Sequence, residues 1–201
     1  VFQYSDLSPE TSAHNATIYV KNDGRYLYLA VTVKWDDFNP NDFCNWWFEN
    51  DYDGVIEVGD DGLSVRGDGL STDLYRSKAV EGWWSSDAYD GGTNDIVGAA
   101  NHTNPSGTGD YTFEYRHPLD TADNAHDFTL KPDDTVGFQL QYADGGPTGR
   151  SDEWPGLPNY GAIVIATRPT YVVSVRVQDE WNAPMEGALV HLDGVHIGKS
   201  N

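Results

Sequence analysis

The chain has 201 residues, with 12 Lys and Arg against 32 Asp and Glu, for a formal net charge of -20. That length can bury one sizeable core and carry a small appendage. A field of this sign repels phosphate backbones and anionic lipid surfaces, so nucleic acid is excluded as a natural partner; no apolar run approaches the 18 residues of a spanning helix, so no membrane insertion is expected.

Charge alone would suggest disorder, but 13% of the residues are aromatic and β-branched runs recur, so the chain can bury enough apolar surface to fold. A single cysteine, Cys44, leaves no disulfide within the chain. Its neighbours Phe43, Trp46 and Trp47 predict a buried, inert thiol. A start at Val1 fits a processed or trimmed N-terminus. The acceptor sequons Asn15-Ala16-Thr17 and Asn101-His102-Thr103 mark Asn15 and Asn101 as glycosylation candidates and fit an extracellular or cell-surface protein.

In chain order, Thr17 to Lys21 and the Asn22-Asp23-Gly24 turn form a hairpin with Tyr26 to Trp35. The second strand alternates strictly: Leu27, Leu29, Val31, Val33 and Trp35 share one face, and Tyr26, Tyr28, Ala30, Thr32 and Lys34 the other. Asn45 to Phe48 leads into an acidic loop, and Val55 to Val58 is expected to leave it as strand. Further strands are expected at Tyr111 to Arg116, Val136 to Tyr142 and Ala162 to Ala166, between clusters of Gly, Pro, Asn and Asp. No stretch of ten residues holds a helical period, so the fold class is all-β, an antiparallel sandwich of jelly-roll type.

A boundary at Arg168-Pro169-Thr170 divides a sandwich over 1–168 from a β segment over 169–201. In the second part, Tyr171 to Val177, Ala188 to Leu192 and Val195 to Gly198 read as strands too few to bury a core. The segment is then either the start of a longer domain or a set of strands donated to a neighbour.

The acidic loop, Glu49 to Asp60, has the spacing of a twelve-residue calcium loop. Glu49, Asp51 and Asp53 stand at positions 1, 3 and 5, Gly54 at the sharp bend, and Val55 offers its carbonyl at position 7. Glu57 and Asp60 follow at 9 and 12, so alternate oxygens can converge on one hard cation. The loop departs from the usual pattern in having Glu at position 1 and the shorter Asp at 12. Strands rather than helices flank it, so calcium would act as a fixed staple and not as a sensor that opens a helix pair.

Taken together, "DGRYLYLAVTVKWDD" (Asp23 to Asp37), "FENDYDG" (Phe48 to Gly54), "YTFEYRHPLDT" and "DTVGFQLQYAD" resemble the DOMON and family 9 carbohydrate-binding-module superfamily, which also includes the haem-binding subunit of ethylbenzene dehydrogenase. The tail from Val172 to Gly198 is similar to the opening strands of carboxypeptidase-regulatory-like Ig-type domains. The first resemblance implies a sandwich that holds sugar or haem, usually outside the cell. Haem b would need axial ligands drawn from His102, His117, His126 or Lys34, because the only methionine, Met185, lies in the tail. That reading ranks last. His117, before Pro118 at a strand end, reads as a candidate ligand or, more often for such a histidine, as a surface or turn residue.

Sugar binding needs aromatic platforms beside hydrogen-bonding groups, and Trp47, Trp83, Trp84, Tyr89 and Trp154 are the candidates. Adjacent residues of a strand point to opposite faces, so one member of each Trp pair belongs to the core. No catalytic motif stands out from the abundance of carboxylates, and a non-enzymatic role is expected. Two functions remain: a calcium-stabilised module that binds carbohydrate, or a structural subunit of a filament or surface layer that joins identical subunits through its terminal strands.

Overall fold

A computed structural model describes residues 2–5, 15–77, 84–145, 150–155, 160–167, 189–192 and 195–199. Its contacts divide the chain into two units, Val1–Arg168 and Pro169–Asn201.

In the first unit the strands are β1 (Phe2–Ser5), β2 (Asn15–Asn22), β3 (Tyr26–Asp37), β4 (Phe43–Glu49), β5 (Asp61–Arg66) and β6 (Ser71–Arg76). They are followed by β7 (Trp84–Ser86), a single helical turn α1 (Asp87–Asp90), β8 (Val97–His102), β9 (Thr108–Pro118), β10 (Thr135–Asp144), β11 (Arg150–Trp154) and β12 (Gly161–Val164). One sheet runs β1-β2-β3-β9-β8; the other runs β11-β10-β4-β5-β6-β7, with β12 also paired to β10. Every pairing in the two sheets is antiparallel. In the second unit, β13 (Leu189–Leu192) and β14 (Val195–Lys199) form an antiparallel hairpin. The first strand expected in the tail, Tyr171 to Val177, lies outside the described residues, as does Met185.

Alternation builds the core. From one sheet come Ile18, Leu27, Leu29, Val31, Val33, Phe113 and Tyr115, and from the other Cys44, Trp46, Phe48, Leu63, Val65, Phe138 and Leu140. Trp46 is fully buried among aromatic neighbours, with ring centroids 5.0 Å from Phe138 and 6.2 Å from Phe48. Burial of this much apolar surface is the main force holding two such sheets face to face. Cys44 lies in the same layer, and burial pushes its thiol up to about 12, the inert state expected of it. The first hairpin closes as its sequence requires: Asp23 Oδ1 accepts the N–H groups of Arg25 and Tyr26, and Gly24 takes φ +84.

Two expectations fail locally. The inward alternation of β3 breaks at a register shift between Val33 and Asp36, after which Asp36 is the buried residue and accepts a hydrogen bond from the Tyr142 hydroxyl. Val55 to Val58 is not a strand, and the strand that leaves the acidic loop starts at Asp61. Positive φ at Tyr52, Gly54 and Gly59 keeps the chain turning, and Val55 and Val58 stay exposed. Their β-branched side chains meet no partner layer, so propensity has no packing to express itself in.

Candidate functional site

Because Cys44, Trp46 and Phe48 face the core, Asn45, Trp47 and Glu49 must face outward from β4. Register then assembles a site across four strands, β5, β4, β10 and β11. Trp47 stands opposite Gln139 on β10 and Gly62 on β5, and Asn45 stands opposite Gln141 and Ser64. Asn45 Nδ2 donates to Gln141 Oε1 at 2.8 Å, and Gln141 Nε2 donates to Glu153 Oε1 on β11 at 3.2 Å. Gln139 Nε2 donates to the Pro155 carbonyl at 3.2 Å. These residues make a row of amides and a carboxylate with fixed orientation.

Beside the row, the indoles of Trp47 and Trp84 stack at 4.3 Å with 25° between their planes. Gly62 makes this possible, since a Cβ there would come within 2.8 Å of the Trp47 ring. Both indoles are half-buried, so part of each ring remains open to solvent. The Arg76 guanidinium lies 5.8 Å from the Trp84 ring centroid, within the range of a cation–π contact. One buried atom on each side of the indole pair lacks a protein partner, Asn45 Oδ1 at the amide row and Arg76 Nε beside Trp84. A depression of about 300 Å³, lined by Phe43, Asn45, Ser64, Arg66, Leu70, Thr72 and Leu74, continues the same face.

The acidic loop borders this surface, because Glu49 lies two residues beyond Trp47 on the outward side of β4. Glu49 is buried; its Oε1 accepts the Asp53 N–H at 2.6 Å, and its Oε2 has no partner. Gly137 opposite leaves the space, since a Cβ there would lie 2.6 Å from Oε2. One oxygen from each of Glu49, Asp51 and Asp53 falls within 4.8 Å of the others. Burial, and then the neighbouring Asp51, pushes Glu49 up to about 6. These are the carboxylates at positions 1, 3 and 5. Asp60 instead closes the loop, its Oδ1 accepting the Asn50 N–H at 3.0 Å and its Oδ2 the Glu57 N–H at 2.6 Å. Val55 and Glu57 are exposed along the loop.

Of the other sugar-platform candidates, Trp154 sits opposite Leu140 and packs against the core, 5.7 Å from the Phe138 ring. Tyr89 is 84% exposed on α1, apart from the amide row. Trp83 lies outside the described residues. Asn101 is exposed on β8, and Asn15 begins β2.

The histidines named for haem are not gathered. His102 pairs with Tyr111 at one end of β9, while His117 lies six residues further along it, about 20 Å away at strand spacing. Both ring nitrogens of His102 are engaged, with the Asp36 carbonyl at 3.0 Å and the Asn104 N–H at 3.1 Å. His126 contacts Asp123 at 2.9 Å, and Lys34 pairs with Asp110. The expectation of a surface or turn position for His117 is overturned, since its side chain is fully buried between the sheets. The amide row was not legible in the sequence. Alternation predicts that Asn45 and Gln141 face outward, but register alone makes them neighbours.

No protein-family model matches the chain, and no curated protein does. Solved structures do. A family 9 carbohydrate-binding module from Caldicellulosiruptor kristjanssonii in complex with cellotriose superposes with a TM-score of 0.56 at 17% identity, covering 88% of this chain and 89% of its own. The same organism's module in complex with glucose gives 0.53 at 16% identity, over 85% and 87%. A protein from Bacteroides uniformis provisionally assigned to carbohydrate binding gives 0.50 at 10% identity, over 84% and 78%. At these identities the likeness establishes the β-sandwich fold.

Proposed function

We propose that the chain is a carbohydrate-binding module with no catalysis of its own, and that its ligand is a glucose unit or a short glucose oligomer held on the outer face of the seven-stranded sheet. The observation that carries this reading is the stacked Trp47–Trp84 pair beside the Asn45–Gln141–Glu153 row. A pyranose presents a C–H face that lies flat on an indole and a rim of hydroxyls that amides and carboxylates can bind. This combination of apolar platform and few oriented polar groups is what a small-ligand site requires. The unpartnered Asn45 Oδ1 supplies a free acceptor on the amide-row side of the indole pair, and the unpartnered Arg76 Nε a free donor on its Trp84 side. The solved modules of similar fold hold cellotriose and glucose, which selects the first sugars to try.

In the same reading, calcium at Glu49, Asp51 and Asp53 stiffens the loop that borders the platform, and the module works outside the cell. Titration calorimetry with glucose and cellotriose tests the central claim. Binding that disappears in both Trp47→Ala and Trp84→Ala is the expected result. No binding to these sugars or to a broad glycan array would remove the reading.

A further inference from the structure

A second acidic cluster lies inside the sandwich, remote in character from the exposed loop. Asp61 at the start of β5, Asp73 on β6, Asp87 on α1, Asp127 in the loop after β9 and His117 on β9 all point into one place, each 5% exposed or less. Three of the carboxylates are anchored through one oxygen only. Asp61 Oδ2 accepts the Phe128 N–H at 3.3 Å, Asp73 Oδ2 accepts the Asp95 N–H at 3.0 Å, and Asp127 Oδ2 accepts the Thr121 hydroxyl. Their other oxygens have no hydrogen-bond partner, and neither do both oxygens of Asp87 and both ring nitrogens of His117. His117 Nε2 approaches Asp73 at 3.3 Å and Asp127 at 3.8 Å, near enough for an ion pair but off the direction of a hydrogen bond.

Native interiors rarely leave so many polar atoms unmet in one spot. Four buried carboxylates facing one imidazole cannot all be ionised without a further positive charge. The geometry gives that charge a place. One ligand atom each from Asp61, His117 and Asp127 lies within 4.8 Å of the others, and the same holds for Asp73, Asp87 and Asp127. Two ligands of one cation are separated by at most twice the metal–ligand distance, about 4 to 5 Å, so both triads have ligand spacing. Asp127 belongs to both.

We propose that Asp61, Asp73, Asp87, Asp127 and His117 form a buried site for a divalent cation between the two sheets, separate from the loop site. An imidazole among carboxylates selects Mn2+ or Zn2+ over Ca2+, which takes oxygen ligands alone. A cation in the Asp61–His117–Asp127 triad joins β5 and β9, and so cross-links the two sheets from within; the second triad ties β6 and α1 to it through the shared Asp127. Burial in turn holds Asp87 up to about 10 and Asp61 well above the carboxylate range for as long as no cation is present.

The test uses the full chain carrying Asp51→Asn and Asp53→Asn, so that the loop cannot contribute. The protein is unfolded in guanidinium with a chelator, refolded without metal, and melted alone and with Mn2+, Zn2+ or Ca2+; metal content is read by mass spectrometry. The expected result is about one equivalent of Mn2+ or Zn2+ that survives dialysis and raises Tm by about 5 °C or more. A Ca2+ equivalent in its place would overturn the part given to His117. Identical melts with and without every ion would overturn the site. Asp87→Asn supplies an independent sign: at a cation site it lowers Tm and abolishes the metal response. In a metal-free nest of acids it relieves repulsion and raises Tm, which would also defeat the proposal. If that variant does not fold, the metal content and melts of the background protein decide.

Discussion

The five-stranded sheet turns Tyr19, Tyr28, Ala30, Val97, Ala99 and Arg116 outward around a groove of about 610 Å³, while the seven-stranded sheet carries the Trp47–Trp84 stack and the Asn45–Gln141 pair, next to a depression of about 300 Å³ that Asn45 lines with Ser64 and Thr72. Strand alternation makes both faces from aromatic and polar residues. On the larger groove two of the polar tips already have partners: the Tyr28 hydroxyl donates to Asp23 Oδ2 at 2.8 Å, and Arg116 sits 4.9 Å over the Tyr26 ring. At the smaller one the Asn45 amide oxygen is buried without a partner, and so is Arg76 Nε beyond it, beside Trp84. Under the proposed function, cavity size ranks these faces in the wrong order for recognition. Unmet, oriented hydrogen-bonding groups beside an open aromatic surface are the better guide.

The sharpest way to test the inside–outside assignment is to compare two adjacent tryptophans. Trp46→Ala empties the centre of the core and should cost about 3 to 5 kcal/mol, read from the denaturant midpoint. Trp47→Ala, on the half-buried outer side, should cost about 1 kcal/mol. Equal losses would mean that the strand does not alternate as described.

The contrast between faces predicts the next effect. Trp47→Ala or Trp84→Ala should weaken cellotriose binding at least tenfold, about 1.4 kcal/mol, whereas Tyr28→Ala on the opposite sheet should leave affinity within about twofold. A reversed pattern would transfer the site to the larger groove.

Smaller effects sharpen the picture. Chelation should lower the melting temperature by about 3 °C through the bordering loop, and Asp51→Asn with Asp53→Asn should remove that part of the response. Gln141→Ala should reduce sugar affinity only a few-fold, because it loosens Asn45 and Glu153 without removing the indole platform.

Outside both faces, Asp42 gives a pH-dependent signal. Its Oδ1 accepts the Gly145 N–H at 2.6 Å, its Oδ2 is buried without a partner, and burial pushes the group up to about 6. The folded state therefore holds this proton more tightly than the unfolded chain. Its contribution favours the fold fully below pH 3.8 and is lost as pH rises through about 6. Asp42→Asn should flatten that slope in a series of melts from pH 3.5 to 7.5; an unaltered slope would reject the assignment.

Much of the architecture was legible in the sequence. The period of two from Leu27 to Val33, the Asp23-Gly24 turn and the opposite facing of Trp46 and Trp47 follow from local chemistry that any antiparallel sheet must respect. The spacing of Glu49, Asp51 and Asp53 was likewise readable, because a few residues with one sharp bend set their geometry. Tertiary structure alone decided that Asn45, Gln141 and Glu153 form one row, that Trp84 returns to cover Trp47, and that Asp61, Asp73, Asp87, Asp127 and His117 meet in the interior. Those contacts join residues tens of positions apart, and strand register together with sheet packing sets them, which no local pattern encodes.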